Sequence, residues 1–519
     1  MRPLRALLPR RPRRIAAALG WTIALVAGHA LPAHASPRPQ DSPSGTPAAP
    51  APTVFLWLQD HREAPPPGDW IQELGGAALE TRTPAAWLLD ERRPSGIEVY
   101  LGHAAGRDEL HLVREHESYA QGRTAYRRSR QPAAWPRTFD PFAPDAFEQL
   151  SQTLKRNRQR FGPGPYRAVS LGDEIGLTPF GDPVDHAVSP SEALAWRQWL
   201  AAGGSERFGL QGDAQPIGTG QALRGGTDRA FAAFLARRCF ERESFSALAM
   251  RLAREAKGHW PGTPVALLGI AGETAWHGLD LSLLARELGV FEPYGDDLGL
   301  VLCDTLRSLG NGRPQLWRTL FANGPDAHLF NSGLETAARH SVDALVLWSD
   351  RALKTAPDRL RQLQSTLQRW PTPALPSPPR NTALLHDFDS LCRCWFLDAR
   401  GDGAAWPERL GGFQDAHGTL QRAQRKWLDD RFVRGLGADV LPIDRLGEPA
   451  ALMFTQLVAI ELRVLDRREH AALREHLVRG GQLKIQGEFA RLRPDGSRWP
   501  RALLADWSRE FPGQIRRLD

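Results

Sequence analysis

Tyr166-Arg-Ala-Val-Ser-Leu-Gly-Asp-Glu-Ile-Gly176 is the stretch on which the reading of this chain turns. Ala168 to Leu171 suits a short buried strand that breaks at Gly172 and presents Asp173 and Glu174. A loop with Pro179, Gly181 and Pro183 follows, then the helical run Ser191 to Leu200. Two carboxylates where a core strand becomes a loop stand where (β/α) barrels carry their chemistry. Taken alone, the pair better suits a turn aspartate followed by a helix-capping glutamate. The flanking pattern has to decide between the two.

Outward from this stretch the same rhythm recurs. Thr53 to Leu58 is an uninterrupted apolar run of the kind buried on both faces of a parallel sheet. Asp69 to Leu79, with Gly75-Gly76 inside it, reads as the helix that follows. Ile97 to Leu101, Val265 to Ile270, Val290 to Tyr294, Gln315 to Phe321 and Val342 to Trp348 are further strand candidates. Each leads into Gly, Pro or acidic residues. Between them lie helical stretches at Pro144 to Phe161, Ala230 to Gly258, Leu281 to Leu288 and Asp297 to Leu309. Strands alternating with helices argue for an α/β architecture with a parallel sheet. Seven to eight units over residues 53–370 fit a closed (β/α)8 TIM barrel, with an open doubly wound sheet as the alternative.

Pro371 to Pro379 is proline-rich and marks a boundary. Beyond it the rhythm restarts with strands at Ala383 to His386, Asp439 to Ile443 and Gln456 to Leu462, and a helix at Leu420 to Leu428. The helix Asp466 to Val478 closes on Gly480-Gly481 directly before Gln482 to Gly487, a joint typical of doubly wound folds. Residues 380–519 therefore read as a smaller open three-layer α/β domain.

The N-terminus reads as a leader. Six arginines precede the apolar run Ile15 to Gly28, and Ala33-His34-Ala35 offers a cleavage site before Ser36. The expectation is a signal peptide over 1–35, a Pro/Ala-rich linker over 36–52 and a periplasmic or secreted product. Export by the general or the twin-arginine route stays open. The formal charge of +7 includes those six arginines and no leader acid, which leaves +1 for residues 36–519. A clustered basic face for nucleic acid is therefore not expected, nor is a membrane span after leader removal. Cys239, Cys303, Cys392 and Cys394 read as buried thiols. Cys392 and Cys394 stand too close in sequence for relaxed disulfide geometry, and no zinc-like spacing occurs. No metal or cofactor is expected. Gly-x-Ser-x-Gly, Walker A and His-Glu-x-x-His patterns do not occur either.

As a whole the arrangement resembles the β-galactosidase-like proteins of glycoside hydrolase family 42. These join a (β/α)8 barrel to a flavodoxin-like domain that helps them oligomerise. The likeness rests on Pro165 to Gly176, where the family's fourth strand ends in Asn-Glu, and on the helix, Gly-Gly and strand within Ile460 to Gly487. Phe291-Glu-Pro-Tyr294 and Ala344 to Asp350 are similar to barrel strands 6 and 8. The resemblance implies Glu174 as general acid/base acting on a carbohydrate, and a homo-oligomer built through the second domain. Asp173 stands where the family has Asn, which removes an amide donor for the sugar 2-hydroxyl.

Strand 7 departs further, because Arg318 and Thr319 occupy the neighbourhood of the expected nucleophilic Glu. Retaining hydrolysis needs two carboxyls about 5 Å apart. Glu292 is the first substitute, with Glu273 and Asp350 behind it. Asp173, Glu273, Trp317 and Trp348 are expected to contact substrate, the tryptophans through flat faces that suit sugar C–H surfaces. Trp276, His103, His186 and His277 fall near strand ends as well, with structural roles competing. The alternative is a catalytically inactive carbohydrate-binding or assembly protein on a glycosidase scaffold.

Overall fold

The computed structural model describes residues 51–518, apart from the stretches 111–116, 371–380 and 410–417 and a number of shorter ones. The leader and nearly all of the linker expected over 1–52 lie outside the described residues, as does the proline-rich break.

Eight parallel strands close a barrel in sequential order: β1 Thr53–Trp57, β2 Gly75–Leu79, β3 Glu98–Leu101, β4 Ala168–Asp173, β5 Val265–Ile270, β6 Val290–Pro293, β7 Gln315–Phe321 and β8 Ala344–Trp348. Pairing of Thr53–Leu56 with Ala344–Leu347 shuts the ring. The open doubly wound alternative is thereby excluded for this part of the chain. Alternate residues point inward, as strand geometry requires. Phe55, Tyr100, Ala168, Ala266, Leu268, Val290, Trp317 and Val346 fill the interior, while Leu56, Val169, Leu267, Phe291 and Leu345 join the layer beneath the helices.

The second strand departs from the sequence reading. Gly75 to Leu79 is β2, and only Trp70–Leu74 before it is helical. Paired glycines usually mark a stop, but here their lack of a side chain makes the strand. A Cβ on Gly76 would lie 2.7 Å from the Phe55 ring, so the glycine lets that ring fill the barrel.

Two irregularities shape the mouth. Ser170 and Asp173 of β4 face Ala266 and Leu268 of β5, so β4 carries one extra residue. Leu268 and Ile270 of β5 then face Glu292 and Pro293 of β6, one extra residue again, at Gly269 with φ +74°. Such bulges re-aim side chains at barrel rims. The buried Ser170 hydroxyl repairs the ladder at the first one: it donates to Gly172 O (2.9 Å) and accepts from Leu268 N (3.1 Å).

The second sheet holds β9 Thr382–His386, β10 Asp439–Pro442, β11 Gln456–Ile460, β12 Gln482–Gln486 and β13 Ile515–Arg517. All pair in parallel in the order β10-β9-β11-β12-β13, the flavodoxin-like order. The long helix α1 (Asp228–His259) belongs to the barrel, and α2 (Phe388–Asp402) and α3 (Leu503–Glu510) belong to the second domain. The domains share apolar surface. Trp395 of α2 stacks on Phe234 of α1 and meets Trp276 edge-on at 4.1 Å. Val440 N of β10 donates to the Thr305 hydroxyl of the barrel's Asp297–Leu309 helix (2.9 Å). Cys239, Cys303, Cys392 and Cys394 are all buried free thiols. Among the described residues no helix is long and apolar enough to cross a membrane.

Candidate active site

The extra residue in β4 turns Asp173 and Glu174 over the barrel's C-terminal face. Glu174 adopts a left-handed backbone (φ +49°), anchored by its N–H donating to Leu268 O (2.9 Å). That conformation costs a residue with a Cβ about 1 kcal/mol, and such costs concentrate at functional sites. Gly269 marks the convergence point. A Cβ there would lie 2.6 Å from Asp173 Oδ1, 2.7 Å from Glu174 Cγ and 2.9 Å from the Tyr294 ring. The Tyr294 hydroxyl donates to Asp173 Oδ1 at 2.5 Å. Burial, followed by the Asp173, Glu174 and Glu292 carboxyls, pushes the Tyr294 phenol well above its ordinary range, so it stays protonated as the donor.

Glu292 lies beneath this group, completely buried on β6. Its Oε1 accepts from the Thr319 hydroxyl of β7 (2.7 Å). Burial pushes the Glu292 carboxyl up to about 8; Thr319 and Tyr100 pull against that rise and Asp173 adds to it. At neutral pH the side chain is a neutral acid, which can donate a proton but cannot attack as a nucleophile.

A consequence for stability follows. Glu292 binds its proton more tightly folded than unfolded, so its contribution falls as pH rises from the ordinary glutamate range through about 8. Glu292→Gln retains an acceptor for Thr319 and cannot ionise. The variant is expected to match the wild type in urea unfolding at pH 5 and to exceed it at pH 9. Parallel curves across that range would contradict the buried, proton-holding role.

Trp348, the last residue of β8, is partly exposed at the mouth and leans on Trp57 with centroids 5.2 Å apart. Tyr294 and Phe321 meet edge-on at 5.4 Å beside it. Trp317 corrects the sequence reading. It is fully buried, stacked on Phe55 at 4.9 Å, with its N–H donated to Gln315 Oε1 (2.9 Å). As the third residue of β7 it is a barrel plug, below the level at which a sugar has access.

Glu273 is corrected too. It is buried against the second domain, where Oε1 receives Arg242 Nη2 (3.0 Å) and Leu281 N (2.9 Å) and Oε2 meets His386 Nε2 (2.8 Å). Asp350, also buried, accepts from the backbone N–H groups of Gln59, Asp60 and His61, each at 2.9 Å. It clamps the loop after β1 and is committed to that task. Trp276 and the three histidines are buried as well: His103 sits edge-on to Trp57, His186 Nδ1 meets Trp135 O at 3.0 Å, and His277 packs under Gly176.

Tyr294, Tyr100 and Thr319 belong to the site and were not singled out as site residues from sequence. A signal existed for Tyr294, which stands two residues after Glu292 and so shares its inward parity.

No protein-family model matches the chain, and no curated protein sequence matches it. Solved structures do. The β-galactosidase from Bacillus circulans sp. alkalophilus superposes with TM-score 0.57 at 12% identity, covering 86% of this chain and 73% of that one. The β-galactosidase of the haloarchaeon Halorubrum lacusprofundi gives 0.58 at 16%, covering 86% and 74%. A family 42 exo-carrageenase from Bacteroides ovatus gives 0.56 at 11%, covering 91% and 69%. At such identities the likeness establishes the fold, and the chain is built on the barrel-plus-α/β scaffold of the family 42 glycoside hydrolases.

Proposed function

We propose that the C-terminal face of the barrel binds a glycan and that Glu174 acts there as general acid/base on the glycosidic oxygen. The observation that carries this is the convergence of Asp173, Glu174 and Tyr294 on Gly269, over a mouth edged by Trp348. Glu174 supplies the proton. Asp173, held by the Tyr294 phenol, accepts from a sugar hydroxyl. Trp348 offers a flat apolar surface to the ring. Of the acids expected as the partner of Glu174, Glu292 is the one that shares the surroundings of Asp173. Retaining chemistry requires it ionised, so displacement at Glu292 belongs to alkaline conditions or to a substrate that lowers its pKa.

A second reading, glycan binding without cleavage, is favoured by one specific feature: β7 carries no acid between Gln315 and Phe321. The charged and then apolar N-terminal segment supports export, with cleavage after Ala35, and the flavodoxin-like second domain supports a homo-oligomer.

The test incubates the full-length mature chain with a panel of aryl glycosides and bacterial exopolysaccharides, following released sugar and retained ligand separately. Release of reducing sugar supports hydrolysis. Saturable binding without release supports the second reading. Neither, across the panel, overturns both. Within the same assay, loss of release in Glu292→Gln assigns Glu292 to the chemistry, and unchanged release removes it.

A further inference from the structure

The second domain contains a cavity of about 200 Å³ that the barrel site does not use. It opens at the carboxyl ends of β12 and β13, to one side of the β9/β11 point where the strand order reverses. A tight hairpin builds one wall: Leu492 bridges Arg498 antiparallel, and Arg493 N donates to Ser497 O at 2.8 Å. Arg491 and Arg498 come from this hairpin, Arg517 is the last residue of β13, and all three line the cavity. Phe489, Leu503 and Leu504 form its apolar part, the leucines from the first turn of α3.

The charges are unevenly matched. Arg498 is tied to Asp228 at 2.9 Å. Glu488, the one acid in the lining, is paired outward with Arg463 at 2.8 Å. The guanidinium groups of Arg491 and Arg517 have no hydrogen-bond or ion-pair partner among the described residues, and both side chains are exposed. Trp499 also lines the space, but His470 stacks on its ring at 4.6 Å and the Arg493 guanidinium sits over it at 4.3 Å. Its π-surface is already engaged, so sugar stacking is not what the cavity offers. It offers two uncommitted guanidinium groups beside an apolar lining, and a guanidinium presents its N–H donors in a fork suited to carboxylate and phosphate oxygens.

We infer that this cavity is a binding site for a small ligand bearing an oxyanion group, a phosphate or a carboxylate on a body no larger than a monosaccharide. The volume is below the roughly 300–1,000 Å³ of drug-sized pockets, which limits the ligand to that size. The site is independent of the barrel reading, because none of its lining residues comes from the barrel.

Ligand-observed NMR titration of the full chain tests it, with inorganic phosphate, glucuronate and neutral glucose as probes, against an Arg491→Ala/Arg517→Ala variant. Both arginines are exposed, so the variant is expected to keep the wild-type unfolding curve. Expected is saturable binding of phosphate or glucuronate, weakened by added salt and reduced at least about tenfold in the variant. Phosphate alone points to a phosphorylated ligand, and glucuronate alone to an acidic sugar. Glucose binding as tight as glucuronate, equal binding by variant and wild type, or no saturable binding of either anion overturns the inference. An Arg491→Lys/Arg517→Lys variant separates charge from fork geometry, with intermediate affinity expected.

Discussion

Glu174→Gln is expected to lower glycoside hydrolysis by about 10²–10⁴-fold while leaving glycan binding within about threefold of wild type. Glutamine keeps the size and polarity of the side chain but cannot transfer a proton to a leaving oxygen. Glu174 is partly exposed and its N–H bond to Leu268 O is a backbone bond, so the substitution leaves the strand end intact. The expected stability change is within about 0.5 kcal/mol. The sharper readout is the dependence on leaving group. Substrates whose aglycone departs without protonation should lose much less rate than alkyl glycosides. A uniform loss across both kinds would mean that Glu174 positions substrate without donating the proton. Equal turnover by variant and wild type would remove Glu174 from the chemistry altogether.

Much of the scaffold was legible because its signal is local. Ala168 to Leu171 is short and mostly apolar, and it forms the body of β4, which runs on through Gly172 to Asp173. The same locality holds for Val265–Ile270, whose burial on both sides leaves no polar interruption to misread. Gln315–Phe321 was legible from its length and its aromatic and aliphatic residues, although Arg318 and Thr319 lie inside it. β2 was hidden because Gly75-Gly76 carries no strand propensity; what makes it a strand is the Phe55 ring, a tertiary partner. β13 was hidden for a related reason, since Ile515–Arg517 has one apolar residue and becomes a strand only by pairing with Leu483–Ile485.

The site divides along similar lines. That Asp173 and Glu174 stand at a strand end can be read from spacing. That Tyr294 donates to Asp173 depends on two bulges that no pattern announces. Trp317 and Trp348 look alike in sequence, and depth along the strand separates them: third of seven residues in β7 against last of five in β8. Glu273 and Glu174 both follow barrel strands, but the loop after β5 faces the second domain. Sequence spacing carries no record of that neighbour.

Glu273→Gln is expected to destabilise the protein by about 3 kcal/mol at neutral pH, the lower end of what breaking a buried pair costs. The cost comes from the charges that Glu273 serves. Arg242 and His386 both depend on this carboxylate, and His386 stands at the end of β9 in the other domain. Removing the charge leaves the Arg242 guanidinium buried with Asp280, at 3.0 Å, as its surviving ion-pair partner among the described residues. That surviving partner is why the lower end applies. Burial by itself would raise the Glu273 carboxyl, but Arg242 first and then His386 overcome it and hold it at about 2. A depressed carboxylate contributes stability that is present above its unfolded value and lost as pH falls through the folded one. Wild-type stability should therefore drop between about pH 4.5 and 2, and that limb should be shallower in the variant. Chemical unfolding at pH 7, 4 and 2.5 measures both effects. If the ion pair acts as a joint between the domains, intrinsic fluorescence near Trp276 and Trp395, which touch across the same boundary, should change at lower denaturant in the variant than in the wild type. A single unshifted transition would mean that the shared apolar surface alone holds the second domain against the barrel. Glu273 would then be a buried charge that the joint tolerates, with no net part in forming it.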